Sequence, residues 1–589
     1  MHTELTSSSV QTKSESVILT WEQLFYGIVL ACAAILRLGN LGLTPLSPAE
    51  AENSWGVWLF WQPEAADRLP EISSSAWFSL TAFLTQVIGD SDVVMRLIPA
   101  LAGIGAVLAI VRFRPFTGRM GGIVSAIMLA LSPLLVSISR TADGNSLAIL
   151  ALIMVTGFWL QFRHTEEPRS LNWLAAWLAF GLITSPVFYS GIFAFGLAWL
   201  LEKFVGPQLK LGGYWPEGDV LRRAGITFVA VFAIASTMFL LNPAGIGIAA
   251  GTLEAWVGAF GGYSRIADIG NPVFTLLQYE MVLIAMAMII MISMSILGDP
   301  ESGFLGYWLV ASVLLFMLQV GENSNALIAL IPAALLVGRA FDQTVARIPL
   351  DRIFSTYPDG GMGFPMAGIS IVLLLIGATY LGRFSRTGLE TNSGRGLLFL
   401  CAMILALIVL MAIFISVYDQ LSAITGLLLV GLTLSAVFSW SVAWRLGGEQ
   451  ANDSRQLWVE QGTDDELFLL NDTLRETGSS TIGLEEALEI YSTVDIAVLR
   501  WYLRDYDDVQ FFDAIPAGAT PDIIITPDGV EVQAGSDYTG TDFGLIRPDQ
   551  TLNLTFTQNL RWWLFGDSTA PIQDQRIVLW VRANLITNQ

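Results

Sequence analysis

From residue 20 to residue 444 the chain is written mostly in apolar runs of bilayer length, and this decides the fold class before any motif is read. About 20 consecutive apolar residues form a helix across the hydrocarbon core, because a spanning segment must satisfy its own backbone polar groups. We place about 13 such runs. They centre on residues 20–38, 94–112, 119–137, 145–162, 171–186, 187–203, 224–242, 273–297, 304–321, 325–342, 364–382, 396–417 and 421–444. The fifth and sixth nearly fuse at "TSPVFYSG". Composition agrees, with 53% hydrophobic residues, only 14% charged, and a mean hydropathy of +0.59. The prediction is a polytopic α-helical membrane protein.

An odd span count sends the two termini to opposite sides. Lys and Arg are more numerous in the segments that lie inside when the N-terminus is cytoplasmic, so the positive-inside rule selects that orientation. It makes residues 1–19 a cytoplasmic tail and 20–447 the membrane domain. Residues 40–93 become one long first outer loop, and 448–589 an extracytoplasmic domain. The net charge of −21 is uneven: from residue 451 onward 23 Asp and Glu face 8 Lys and Arg. So acidic a domain does not suit nucleic acid or an anionic surface as a partner. Two cysteines, Cys32 and Cys401, both in apolar runs, exclude a disulfide framework. Two histidines, His2 and His164, argue against a histidine-based metal site.

The C-terminal region changes pattern. "DELFLLNDTLRETG" reads as a helix ending on Gly478, and "TVDIAVLRWYLRDY" as another. "ALEIY", "DVQFF", "PDIIIT" and "RIVLWVRANL" read as short strands, which predicts a small α/β domain with a partly parallel sheet. In the first outer loop, "SSSAWFSLTAFLTQVIGDSD" reads as an amphipathic helix at the interface, with Trp77, Phe78, Leu80, Phe83 and Leu84 on its apolar side.

Transporters handle their cargo with charges in mid-span. Here the span centres carry essentially none. Ionisable residues gather at the outer ends instead: Arg37, Glu50, Glu52, Arg96, Arg140, Asp143, Glu280 and Glu322. A lone charge in hydrocarbon costs about 2.5–3.5 kcal/mol on insertion scales, so Glu280 is expected to face a polar cavity. Glu50 and Glu52 do not share a helix face. "LSPAEAENSW" also reads as a helix start, with Ser47 as N-cap, Pro48 in the first position and Glu50 in the first turn. Spacing alone leaves Glu50 open between capping and chemistry.

Four stretches, taken in order, resemble the GT-C superfamily of membrane glycosyltransferases, which use polyprenyl-phosphate sugars. "ILRLGNLGLTPLSPAEA" is similar to the first span and the acidic loop motif after it. "FSLTAFLTQVIGDSDVVMRLIPALAGIGAVLAI" is similar to the interfacial helix and the arginine-bearing entry to the second span. "GRMGGIVSAIMLALSPLLVSISRTADGNSLAIL" is similar to the next two spans and their Ser-Arg outer loop. "RWYLRDYDDVQFFDA" resembles a segment of the soluble domain in a bacterial and archaeal subgroup. Residues 20–200 carry most of the likeness, and the protein mannosyltransferases and aminoarabinose transferases are the nearest in pattern.

The resemblance implies a membrane glycosyltransferase, in a prokaryotic plasma membrane, moving a sugar from a lipid-phosphate donor to a protein, lipid or glycan acceptor. It assigns Glu50 and Asp143 to catalysis, and Arg37, Arg96, Arg140 and Glu280 to substrate binding. A carboxylate can act as base toward an acceptor hydroxyl, and arginine offers a planar fork for phosphate oxygens. The resemblance leaves a divalent metal open. One departure counts against activity: the family's usual Asp before the glutamate is Ala49 here. A non-catalytic relative that assists lipid-linked sugar handling, and a transporter or flippase, are the two rival readings. "DSD" at 90–92 reads as loop acids rather than a metal motif, and "WYLRDY" at 501–506 as core or docking surface rather than a sugar site.

Overall fold

The computed structural model describes residues 20–62, 72–205, 216–261, 270–297, 299–319, 323–348, 361–387, 393–481, 483, 486–530, 537–548 and 571–586. Helices α1 (Trp21–Leu38), α2 (Pro48–Phe60), α3 (Ser75–Ile88) and α4 (Asp92–Ala109) build the first span, the loop beyond it and the return span. A short α5 (Arg114–Thr117) precedes α6 (Arg119–Leu131) and α7 (Pro133–Ile138). Then come α8 (Asn145–Thr165), α9 (Pro168–Gly181), α10 (Pro186–Phe204), α11 (Gly218–Ser236), α12 (Gly245–Gly258), α13 (Gly270–Tyr279) and α14 (Met281–Leu297). The membrane domain closes with α15 (Pro300–Leu318), α16 (Leu330–Thr344), α17 (Gly363–Thr387), α18 (Ser393–Val417) and α19 (Gln420–Leu446).

A helix falls on every predicted run. Among the described residues, seven helical stretches are long and apolar enough to cross a membrane, and α13 with α14 makes an eighth if that bent pair is one span. Two runs are broken rather than continuous. Residues 119–137 split at Ser132, where Pro133 cannot donate the next helical hydrogen bond. Residues 273–297 bend by 109° at Glu280.

The stretch Asn323–Thr344, 94% buried, runs through the middle of the bundle. It is apolar nearly all round, as a helix sheathed by other helices must be. It meets α6 at Gly121 and Gly338, where a Cβ on either would come within 2.7 Å of the other's carbonyl oxygen. Small residues let two helices approach this closely, and lipid-exposed packing relies on it. Helix α3 is apolar on two sides. Trp77 and Phe78 are buried, while Phe83, Val87 and Ile88 are exposed in the protein alone and suit an apolar lipid boundary.

Beyond α19, β1 (Gly462–Thr463), α20 (Glu466–Thr481), β2 (Glu489–Ser492), α21 (Ala497–Tyr502), β3 (Asp508–Phe511), β4 (Ile523–Pro527), β5 (Tyr538–Arg547) and β6 (Gln575–Arg582) follow. They make one mixed sheet in the order β1-β5-β6-β4-β2-β3. Strand β2 pairs parallel with β3 and β4; the other pairings are antiparallel. Four strands match the sequence reading. β5 escaped it because "YTGTDFGLIR" mixes glycine and aspartate into the strand. The helix expected over "TVDIAVLRWYLRDY" shrinks to six residues. The core of this sheet is continuous with the buried side chains of α2 and α3, so the same apolar cluster holds Leu46, Trp77, Trp501 and Ile523.

Candidate active site

One large cavity, about 1180 Å³, opens on the side of the membrane domain that carries the sheet. Its walls are the segment around Leu41–Asn53, the turn between α7 and α8, one side of α12, and the linker from Leu446 to Gln461. Glu50, Arg96, Arg140 and Asp143 all line it. These four expected site residues come together. Arg37 and Glu280 do not line it, and Glu322 lies outside the described residues.

Glu50 begins at the helix signal. Ser47 and Glu50 form a capping box: the Ser47 hydroxyl accepts from the Glu50 N–H (3.4 Å) and a Glu50 oxygen accepts from the Ser47 N–H (2.9 Å). The same carboxylate takes two hydrogen bonds of 2.8 Å from Arg96, through Nε and Nη2, and one of 2.8 Å from the Ala142 N–H. Arg96 spends its remaining three N–H groups on the carbonyls of Leu41 (2.8 Å), Thr44 (2.9 Å) and Pro45 (3.1 Å). All five guanidinium donors are therefore used inside the protein. Both side chains are buried. Burial pushes the Glu50 carboxyl up, but the Arg96 charge and the four N–H donors outweigh it and hold it below the ordinary glutamate range.

Asp143 stands differently. It follows Ala142 in the turn, is partly exposed to the cavity, and accepts from the Asn145 N–H (2.9 Å) and side-chain amide (2.8 Å). Among the described residues no cation pairs with it. Burial, opposed by the Asn145 bonds and reinforced by the Glu50 charge, raises its carboxyl from 3.8 to about 7. Arg140, three residues earlier, reaches the end of α1, donating to the carbonyls of Leu36 (3.0 Å), Gly39 (2.6 Å) and Asn40 (2.9 Å). Burial, with the Arg96 charge adding, lowers it to about 10, so it remains a cation at neutral pH.

A family described as dolichyl-phosphate-mannose-protein mannosyltransferase matches residues 75–210. No curated protein matches the sequence. Over 96% of this chain and 98% of the other, the structure is similar to ArnT from Cupriavidus metallidurans bound to undecaprenyl phosphate, with a TM-score of 0.53 at 13% identity. The apo state of the same ArnT gives a TM-score of 0.51 at 12% identity over the same shares. The likeness is one of fold: this chain folds as that ArnT does.

In this chain two expected substrate ligands sit at a helix break and satisfy its backbone groups. Pro133 has no N–H to offer Leu129, and Arg37 supplies the missing donors, bonding the carbonyls of Leu129 (3.1 Å) and Ala130 (2.9 Å). On the other side of the break, Glu280 accepts from the Ser132 hydroxyl and the Leu134 N–H (3.3 Å). A cation at the C-terminal end of α6 and an anion at the N-terminal end of α7 also complement the two helix dipoles. Burial in hydrocarbon reads as function from sequence. Here it serves backbone satisfaction.

The two motifs set aside in the sequence find each other. Trp501 donates its indole N–H to Asp92 (2.8 Å), and the Tyr502 hydroxyl donates to the same carboxylate (2.6 Å). Arg504 donates to the Asp90 side chain (3.2 Å) and carbonyl (2.7 Å). "WYLRDY" is thus a docking surface and "DSD" its receptor. Among the described residues, no group of three His, Cys, Asp or Glu side chains converges as a metal ligand set. The described residues therefore present no such set to a resident metal. Sequence reasoning missed Asn53, which follows the helix-start motif, and Glu254, Trp458 and Glu460, which line the cavity from segments without a motif.

Proposed function

We propose that the chain is a membrane glycosyltransferase that moves a sugar from a polyprenyl-phosphate donor to an acceptor hydroxyl in this cavity, on the extracytoplasmic side. One observation carries the reading: a cavity-facing aspartate that pairs with no cation among the described residues, its carboxyl raised by burial to about 7, three residues from an arginine on the same wall. Asp143 takes the proton of the acceptor hydroxyl as its oxygen attacks the anomeric carbon. The bond from that carbon to the phosphate oxygen breaks, and the lipid phosphate leaves with its electron pair toward Arg140. The undecaprenyl phosphate bound to ArnT supports the donor class, and the charge-poor span centres speak against transport.

This changes the roles first expected. Glu50 and Arg96 become a brace rather than base and phosphate ligand, because each already spends its charge on the other. Arg37 and Glu280 leave the site. The rival reading, a non-catalytic relative, rests on Ala49, which lines the cavity where the resemblance leads one to expect a carboxylate.

The test is to incubate purified protein with polyprenyl-phosphate sugars and follow release of lipid phosphate, for the wild type and for Asp143→Asn. Release that depends on Asp143 supports the transferase. No release with any donor gives the chain to the non-catalytic reading.

A further inference from the structure

Trp458 is the only aromatic residue among the described residues lining the cavity. It belongs to neither the membrane domain proper nor the sheet, but to the linker between them. Three bonds hold this stretch in place. The Trp458 indole N–H donates to the Ser137 hydroxyl (3.0 Å), and its backbone N–H donates to the Tyr279 hydroxyl (3.4 Å). Asn323 donates its side-chain amide to the Leu457 carbonyl (3.3 Å). Ser137 and Asn323 also line the cavity. The indole is half-buried, packed on the membrane core and still part of the cavity wall.

A wholly structural tryptophan in a membrane core buries both its faces. One left at the wall of a cavity of mixed lining, with its N–H already satisfied, offers a flat apolar surface of fixed orientation. The C–H face of a sugar ring is the ligand surface that matches such an indole, because it is apolar while its hydroxyls point outward to polar groups. Those groups are at hand. Glu460 and Gln461 follow on the same wall, and Ser137 lies at the end of α7, one residue before its last, just ahead of the turn that carries Arg140 and Asp143.

We propose that Trp458 is the platform on which the sugar of the lipid-linked donor stacks, with Ser137 positioning the indole. The inference rests on the glycosyltransferase reading and deepens it. The linker is then part of the binding site, and a sugar lying on Trp458 stands beside the turn that bears the proposed base.

The test compares two lipids on the full-length protein. Binding of short-chain polyprenyl-phosphate hexoses and pentoses is measured against that of the same polyprenyl phosphate without a sugar. Trp458→Leu is expected to weaken the best sugar-bearing lipid about tenfold and to leave the bare lipid unchanged. Trp458→Phe, which keeps an aromatic face and much of the packing, should retain most of the preference, and Ser137→Ala should lie between. Equal weakening of both lipids in Trp458→Leu and Trp458→Phe would make the residue structural and overturn the proposal. A wild-type preference for the sugar-bearing lipid that survives Trp458→Leu would overturn it too, with the transferase reading intact. A wild type that never prefers a sugar-bearing lipid would bring both down together.

Discussion

The wall built by α2 and α4 and the turn between α7 and α8 meet at Ala142, and they treat their carboxylates in opposite ways. The Glu50 carboxylate, on the first wall, receives four hydrogen bonds from protein donors, two of them from Arg96, one from the Ser47 N–H and one from the Ala142 N–H. Asp143, the next residue in the turn, receives its bonds from neutral neighbours only, and its proton leaves near pH 7. A carboxylate whose acceptor capacity is filled by the fold is a strut. One whose charge is left uncompensated beside a cavity has free energy to release when it takes up a proton.

That contrast breaks most readily at Asp143. Asp143→Asn keeps the shape of the turn but removes the proton acceptor, so turnover should fall by about 10²–10⁴-fold while donor affinity holds. Transfer at the wild-type rate in this variant would erase the distinction between the two walls. Glu50→Gln should instead act on the fold. It leaves the buried Arg96 charge without its counter-ion, a loss worth about 3–5 kcal/mol for buried pairs. Thermal unfolding in detergent would report it, and a variant as stable as the wild type but inactive would return Glu50 to the base role.

The pH profile sharpens the same contrast. A base must be unprotonated to act, so turnover should be half-maximal near pH 7 and fall about tenfold per unit below it. Stability should move the other way. Asp143 binds its proton more tightly folded than unfolded, so its contribution is full below the unfolded value of 3.8 and is lost as the pH rises to about 7. Glu50, held below its ordinary range, contributes with the opposite sign, giving stability above the unfolded glutamate value that is lost on acidification through its folded value. A rate profile flat from pH 5 to 8 would remove Asp143 as the base.

Helices were legible in the sequence because apolar length and local caps are local properties. "SPAE" announced the helix start at Ser47, whereas Pro133 lay unread inside the single apolar run 119–137. What could not be read was where the broken ends find their partners. Arg37 and Glu280 lie 92 and 148 residues in sequence from the groups they serve. From sequence, an ionisable group at a membrane boundary looks the same whether it meets a substrate or an orphaned carbonyl. The strands "PDIIIT" and "RIVLWVRANL" declared themselves by composition. The pairing of Asp92 with Trp501 and Tyr502, across 409 and 410 residues, has no local trace. Trp458 sits in a linker with no periodicity, and only the closed cavity makes it conspicuous.

The smallest expected effect probes how the sheet supports the first wall. The Tyr502 hydroxyl accepts from the Leu46 N–H (3.0 Å) while donating to Asp92, and Asn452 (2.8 Å) and Thr463 (2.6 Å) donate to the carbonyls of Pro45 and Leu46. The chain just ahead of the Ser47 cap is therefore gripped by the C-terminal domain on one side and by Arg96 on the other. Tyr502→Phe keeps the buried ring but leaves the Leu46 N–H without its acceptor, at a cost of about 1–3 kcal/mol. Because Glu50 reaches the active turn through Ala142, a loosened cap should reach Asp143 only at second hand. Turnover should then drop by a few-fold at most, far less than for Asp143→Asn. Arg500→Ala, which loses a surface pair with Asp495, serves as the control and should change neither measurement by more than about 0.5–1 kcal/mol. If Tyr502→Phe abolishes transfer while its unfolding temperature stays put, the sheet is not a support for the strut wall but part of the reacting site.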